Sequence, residues 1–273
     1  MSIKTMKIWQ WALLLLASFV LAFLMYALAQ ASQELFGGGW LGWPAAVAVS
    51  AAMIALYALF VKWFEKHPAC DIPLRRLAGD TLKGLAVGFC FFVAVVLVMS
   101  VFGIYKFDGV GMDRPLELVT AFLLFLLVAV GEEIIFRGVL FRWIDEKWGF
   151  AVALTVSALL FGLMHLPQPG ATLWSSFAIA VEAGLLLGAA YKYSGTLWLP
   201  IGIHWAWNFT QGNIFGFEVS GAEAGDSLIQ PSVNGPDILT GGAFGAEASV
   251  ITVAIGLALS VWFILKVVRR AAS

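Results

Sequence analysis

Long apolar runs separated by short polar segments dominate the chain. A helix needs about 20 apolar residues to cross the hydrocarbon core of a bilayer, and eight runs reach or approach that length. The runs cover residues 8–30, 44–64, 82–104, 116–142, 149–166, 173–193, 197–214 and 249–268. This pattern predicts an all-α fold, a polytopic membrane helical bundle of about eight transmembrane helices, in a single membrane domain over residues 1–273.

The first run allows two interpretations. Lys4 and Lys7 precede it, and Ala29-Gln30-Ala31 resembles the cleavage site of a secretory leader. The apolar stretch is, however, longer than the roughly 7–15 residues of a leader. We therefore expect the run to be retained as the first span.

The composition agrees with a membrane protein. Of the 273 residues 61% are hydrophobic and 12% are charged, whereas about a quarter of the residues of a soluble domain are charged. A chain of this composition could not cover its surface with polar groups in water. The two cysteines, Cys70 and Cys90, form no disulfide framework, because one lies in a polar loop and the other inside an apolar run.

The basic residues predict the orientation of the helices. With eight crossings, one side of the membrane receives 14 of the 16 Lys and Arg residues, and the other side keeps only Lys106 and Arg114. Residues 215–247, on that other side, contain five acids and no Lys or Arg. Since cytoplasmic loops are rich in Lys and Arg, both termini are predicted to be cytoplasmic, and compact loops favour a bacterial plasma membrane.

Polar residues inside three of the runs are the candidates for chemistry. A charged side chain at the centre of a membrane helix costs about 2.5–3.5 kcal/mol on insertion scales, so residues of this kind are functional candidates by default. The candidates are Glu132, Glu133 and Arg137 in the fourth run, His165 at the end of the fifth, and His204 and Asn208 in the seventh.

Helix geometry predicts how these residues meet. Glu132 and His165 lie at almost equal distances from a turn at Gly149, about 25 Å away at about 1.5 Å per residue, so they should face each other on antiparallel helices. The spacing i, i+4 pairs Glu133 with Arg137 and places His204 and Asn208 on one face. Glu132 points about 100° away from Glu133, which leaves it free for another role.

Two chemistries fit this set. A carboxylate base could activate a water molecule while the imidazoles and the amide stabilise an oxyanion. Alternatively, Glu132, His165 and His204 could bind a catalytic zinc with an open fourth position. The spacing alone does not choose between them.

The three clusters resemble the signature of the CAAX-protease and bacteriocin-processing family, also called the Abi family, which includes the type II CAAX prenyl endopeptidases. That signature is Glu-Glu-x-x-x-Arg, then Phe-x-x-x-His, then His-x-x-x-Asn or Asp. Here it reads Glu132 to Arg137, Phe161 to His165 and His204 to Asn208, within a core of about residues 115–215.

The resemblance implies an intramembrane endopeptidase. Glu132 and His165 would activate water, His204 and Asn208 would stabilise the oxyanion, and Glu133 and Arg137 would support the site. It also implies that no metal is needed, with zinc as the alternative. The expected partners are the lipid bilayer and a polypeptide substrate, with or without a lipid modification, and no nucleic acid.

Other functions remain open at this point. The polar core could serve a non-catalytic membrane protein for bacteriocin immunity or protein binding, with Glu133 and Arg137 as a structural ion pair. Intramembrane Glu and His residues also build the proton relays of transporters, although the chain has no internal repeat of the kind many transporters show. Glu182, a lone carboxyl group in the sixth run, could line the cavity or bridge helices, and the sequence does not choose between these roles.

Overall fold

A computed structural model describes Val20 and residues 42–111, 115–223 and 225–272. Apart from Val20, the first apolar run and its alternative as a leader lie outside the described residues. The helices are α1 (Gly42–Phe60), α2 (Leu77–Val101), α3 (Pro115–Glu133), α4 (Arg142–Trp148), α5 (Phe150–Met164), α6 (Leu173–Ile179), α7 (Leu185–Ser194), α8 (Trp198–Phe209), α9 (Asp237–Thr240) and α10 (Val250–Ala272).

Several of these helices are joined or extended by short segments of other helical types. π-Helical segments cover Val61–Glu65, Ile134–Phe141, Ala180–Gly184 and Thr210–Ile214. Turns of 3₁₀-helix cover Leu74–Arg76, Gly242–Phe244 and Ala246–Ala248.

Five continuous helical segments of the described chain are long and apolar enough to cross a membrane, as expected of an integral membrane protein. They are Gly42–Glu65, Leu74–Val101, Pro115–Trp148, Leu173–Ser194 and Val250–Ala271. These segments coincide with the second, third, fourth, sixth and eighth predicted runs. The total of about eight crossings and the orientation of the termini stay predictions.

The fifth and seventh runs form shorter helices than expected. The fifth run is the 15-residue helix α5. The seventh is the 12-residue helix α8, extended by the five-residue π-helical segment Thr210–Ile214. At about 1.5 Å per residue, neither covers the full thickness of a bilayer core, and these two runs carry three of the six candidate side chains.

The turn predicted at Gly149 is confirmed. The helical segment that begins at Pro115 ends at Trp148, and α5 begins at Phe150. Between them Gly149 has φ of 87° and ψ of 171°, a backbone conformation that residues with a side chain rarely adopt. The fourth and fifth runs therefore fold back on each other as the motif spacing requires.

A small antiparallel sheet adds to the predicted all-α fold. Strand β1 (Tyr105–Val110) pairs with β2 (Ile229–Val233), and a register shift separates Phe107 from Gly109. The sheet joins the loop after α2 to the loop after α8. The acidic segment 215–247, predicted only as an external loop, is thus tied to the helical bundle.

Close packing of α2 against α8 fixes the helix that carries His204. A Cβ atom on Gly84 would lie 2.8 Å from the Cα of Gly202, and one on Gly88 would lie 2.3 Å from the carbonyl oxygen of Ile203. Small residues allow membrane helices to approach in this way. The glycines on both helices therefore set the position of α8 relative to the rest of the bundle.

Candidate active site

A buried ion pair lies at the centre of the site. Glu133 ends α3 and Arg137 lies in the following π-helical segment, and neither side chain is exposed. Arg137 Nη1 donates a hydrogen bond of 2.7 Å to Glu133 Oε1, and the guanidinium carbon lies 4.6 Å from the centre of the Phe161 ring. The pairing predicted from the i, i+4 spacing is present. The contact of Arg137 with the Phe161 ring links the fourth run to the fifth.

His204 joins this pair from α8. Its Nδ1 lies 3.0 Å from Glu133 Oε1, and because a carboxylate can only accept, Nδ1 is the donor. Glu133 Oε1 therefore accepts hydrogen bonds from both Arg137 and His204. The contact orients the imidazole and leaves Nε2 available on the other side of the ring.

Glu132 lies in a different environment from its neighbour Glu133. Its side chain is 24% exposed, and its Oε2 atom is 4.0 Å from His204 Nε2, which is longer than a hydrogen bond. This oxygen is buried and has no hydrogen-bond partner within the described part of the chain. The predicted separation of the two carboxylates is thus present, and Glu132 retains an unused acceptor beside an imidazole nitrogen.

His165 follows the last residue of α5. Its Nδ1 donates to the carbonyl oxygen of Phe161 at 2.8 Å, since a carbonyl can only accept, so Nε2 is again the remaining nitrogen. The Phe161 ring lies between the two histidines, with its centre 4.9 Å from that of His165 and 6.2 Å from that of His204.

His165, His204 and Asn208 line one small cavity. Its volume is about 10 Å³, which is near the lower limit for holding one water molecule. Glu132 is not among the residues that line it, and its Oε2 lies 4.0 Å from His204 Nε2. His204 is therefore the residue that contacts the ion pair, lies beside Glu132 and lines the cavity.

Glu247 completes the cavity and was missed by the sequence analysis. It is 3% exposed, lines the cavity, and accepts a hydrogen bond of 2.6 Å from the backbone N–H of Ser220. Burial raises the pKa of the Glu247 carboxyl, while the Ser220 hydrogen bonds and the nearby His165 oppose that rise. Glu247 is 82 residues from His165 along the chain, and the only local signal is an acid directly before the last apolar run.

The backbone of Ser220 is unusual. Its φ of 50° places a residue with a side chain in the left-handed region, which is uncommon outside glycine and mostly found in turns and functional sites. The Glu247 carboxylate receives both the N–H and the hydroxyl of Ser220. This contact therefore joins the two ends of the acidic segment 215–247 beside the cavity that both residues line.

Glu182 lies close to this site without being part of it. The residue is fully buried in a π-helical segment, and neither carboxyl oxygen has a hydrogen-bond partner among the described residues. It faces α10, where a Cβ atom on Gly256 would lie 2.8 Å from the Glu182 Cβ. Its neighbour Ala183 contributes to the cavity wall.

Three π-helical segments adjoin the site. One contains Arg137, one contains Glu182, and one begins two residues after Asn208. Such segments are rare in helices and are frequent at functional sites. No local sequence pattern predicts them, because they depend on the contacts of each helix with its neighbours.

The donor set does not fit a metal ion. Among the residues that the structure describes, no three His, Cys, Asp or Glu side chains are grouped so that they could bind one. Glu132, His165 and His204, the ligands of the zinc alternative, are therefore not arranged as a zinc site, and no step of the chemistry below uses a metal.

Comparison with known proteins supports the resemblance inferred from the motifs. An uncharacterized protein of Bacillus subtilis (strain 168), YpbD, is 26% identical over 125 residues, which cover 44% of this chain and 61% of that protein. The chain thus spans less than two thirds of this relative, and no solved structure matches it. The family model described as type II CAAX prenyl endopeptidase Rce1-like matches residues 114–210, which include all six candidate side chains. The resemblance predicted from the three motifs is confirmed over residues 114–210, which match the type II CAAX prenyl endopeptidase Rce1-like family model.

Proposed function

We propose that the chain is an intramembrane endopeptidase that hydrolyses a peptide bond of a membrane-associated or lipid-modified polypeptide. The observation that carries the proposal is the arrangement around His204. Its Nε2 lies 4.0 Å from the unpartnered oxygen of Glu132, and its side chain lines a cavity together with His165 and Asn208.

Glu132 and His165 are proposed to activate the attacking water. A partly exposed carboxylate with a free oxygen can accept the proton of a water molecule, and the free Nε2 of His165 can hold and orient that water. The water oxygen then forms a bond to the carbonyl carbon of the substrate, and the proton passes to Glu132. When the carbon–nitrogen bond breaks, the same proton goes to the leaving amine.

His204 and Asn208 are proposed to stabilise the oxyanion. The amide of Asn208 is a hydrogen-bond donor, and an imidazole placed between two carboxylates can carry protons on both nitrogens, which makes Nε2 a donor. Donors fixed in advance toward a developing oxyanion typically contribute about 10²–10³-fold to the rate. Glu133 and Arg137 hold the ring of His204 in place and take no part in proton transfer.

The substrate class rests on the family description and on the location of the site. A site among apolar helices is accessible to segments already in or on the membrane, and the matching family model is described as a type II CAAX prenyl endopeptidase. We therefore expect the substrate to be a membrane-embedded peptide or a polypeptide with an attached lipid.

Trapping of substrate tests the proposal. Purified Glu132→Gln protein should retain uncut polypeptides that are absent from wild type, because binding persists without cleavage, and mass spectrometry of co-purified polypeptides identifies them. The trapped polypeptides are then incubated with wild type, with His165→Ala, and with His67→Ala as a matched control. His67 lies outside the site, where it pairs with Glu65.

We expect wild type and the His67→Ala variant to cut the trapped polypeptides and the His165→Ala variant to leave them intact. Equal cleavage by the His165→Ala and His67→Ala variants, with both folded, would contradict the proposed roles. If the Glu132→Gln protein retains nothing and the site variants keep the cellular phenotype, a non-catalytic binding protein is the better description.

A further inference from the structure

A second, larger cavity lies at the other end of the helices from Glu247. It has a volume of about 490 Å³ and lies between the N-terminal part of α2, the C-terminal end of α7 and the C-terminal part of α10. This volume is within the range of about 300–1,000 Å³ that is typical of small-molecule sites. Nothing in the proposed reaction uses this cavity.

The charge of the cavity is strongly asymmetric. Three cations, Arg76, Lys83 and Arg270, and one acid, Asp80, are among its lining residues. Asp80 is already bound by Arg76 Nη2 at 2.8 Å and by the Thr196 hydroxyl at 2.8 Å. No ion pair involves Lys83 within the described part of the chain, so the cavity keeps an excess of positive charge.

Two of the cations are held in place by the main chain of α7. Arg76 Nη1 donates to the carbonyl oxygen of Ser194 at 2.9 Å, and Arg270 Nη1 donates to that of Tyr193 at 3.0 Å. The Arg270 guanidinium also lies 4.3 Å from the centre of the Tyr193 ring. Because these groups are already ordered, a ligand would lose little further conformational entropy on binding them.

The outer wall of the cavity is suited to contact with lipid. Trp262 lines the cavity and is 47% exposed, and Leu265, one turn further along α10, is 48% exposed. Tryptophan is enriched at the level of the lipid headgroups. Basic cavities between membrane helices at this level are suited to phosphate-containing lipid headgroups.

We propose that this cavity binds the headgroup phosphate of an anionic phospholipid. Lys83, Arg76 and Arg270 surround the phosphate, while the acyl chains lie along the exposed apolar face of α10 that includes Trp262 and Leu265. The site is separate from the candidate active site and does not depend on the peptidase function.

Lipid retention tests this site on the full chain. The protein is reconstituted in nanodiscs that contain phosphatidylcholine alone or mixed with phosphatidylglycerol, and lipids that remain bound after detergent extraction are counted by native mass spectrometry. Wild type should retain phosphatidylglycerol in preference to phosphatidylcholine. Lys83→Ala should weaken that retention about fivefold, the size of one lysine–headgroup contact.

Two further variants make the test specific. Arg75→Ala is the matched control, because Arg75 adjoins Arg76 in sequence but does not line the cavity. It should retain lipid as wild type does. Val87→Trp places a large side chain in the cavity and should abolish preferential retention. If Val87→Trp does not fold, the comparison of Lys83→Ala with Arg75→Ala remains decisive, since both side chains are exposed.

Three outcomes would overturn the proposal. The first is equal retention of both lipids by wild type, and the second is an equal effect of Lys83→Ala and Arg75→Ala. The third is binding of free inorganic phosphate, measured by a shift in the unfolding temperature in detergent, that depends on Lys83 while the protein shows no preference for phosphatidylglycerol. The third result would assign the cavity to a soluble phosphate compound instead of a lipid.

Discussion

Glu132 and Glu133 are adjacent in sequence but lie in opposite environments. Glu133 is fully buried, and one of its oxygens accepts hydrogen bonds from Arg137 and His204. Glu132 is partly exposed, and its Oε2 has no hydrogen-bond partner in the described structure. The comparison separates two uses of a carboxylate in a membrane: one neutralises and orients buried groups, and the other remains free to accept a proton.

The largest expected effect on stability comes from Glu133. Replacing it by Gln leaves the buried guanidinium of Arg137 without a fully charged partner, and breaking a buried ion pair in this way costs about 3–5 kcal/mol. Glu133→Gln should therefore unfold at a markedly lower temperature in detergent. Glu132→Gln should unfold close to wild type, because it removes no hydrogen bond of the Oε2 atom. Equal losses of stability in the two variants would show that Glu132 supports the structure as much as Glu133 does.

The spacing of the motifs predicted much of this arrangement. The pair Glu133 and Arg137 follows from the i, i+4 rule, and the divergence of Glu132 follows from the 100° step of the helix. The turn at Gly149 follows from a glycine after a polar segment. These features depend on neighbours within one helix or one hairpin, where the sequence pattern is informative.

Contacts between distant segments could not be predicted in the same way. The sequence placed Glu247 in an external loop, but the structure buries it against the cavity and binds it to Ser220. The contact of His204 with Glu133 also joins two separate helices, α8 and α3. The periodicity of each helix predicts which of its residues share a face, but it does not predict how the two helices are rotated relative to each other. The same holds for the π-helical segments and for the sheet formed by β1 and β2, since each depends on tertiary packing.

The second expected effect concerns the glycine contact that positions His204. A Cβ atom on Gly88 would lie 2.3 Å from the carbonyl oxygen of Ile203, so Gly88→Ala should force α2 and α8 apart, at a cost of about 1–3 kcal/mol. Gly79→Ala in the same helix is the matched control, because a Cβ there meets nothing within 4 Å.

Thermal unfolding of both glycine variants measures this effect. Gly79→Ala should be neutral or gain up to about 1 kcal/mol from helix propensity, while Gly88→Ala should lose stability and reduce cleavage by displacing His204. If both variants show the same unfolding temperature and the same cleavage rate, the close contact of α2 with α8 does not determine the position of His204.

The smallest expected effect is a change in pH dependence. Burial raises the pKa of Glu247 in the folded protein above its ordinary value of 4.5. Its protonated form therefore contributes stability that is fully present below that ordinary value and is lost as the pH rises through the raised pKa. Glu247→Gln, which remains neutral at every pH, should flatten that part of the stability profile.

Unfolding temperatures measured from pH 4 to pH 8 check this effect. Glu218→Gln is a suitable control, because this loop acid is exposed and shows no comparable burial. A Glu247→Gln profile that is parallel to wild type over the whole range would show that Glu247 does not titrate in the buried position.

We infer that Glu132 serves the reaction while Glu133 serves the structure. The cleavage rate of a trapped polypeptide by Glu132→Gln tests this division of roles, with Glu117→Gln, in the first turn of the same helix, as the control. We predict that Glu132→Gln lowers the rate by about 10²–10⁴-fold, the usual contribution of a general base, with an unchanged unfolding temperature, while Glu117→Gln matches wild type. A Glu132→Gln protein that is folded and cleaves at the wild-type rate would contradict the account.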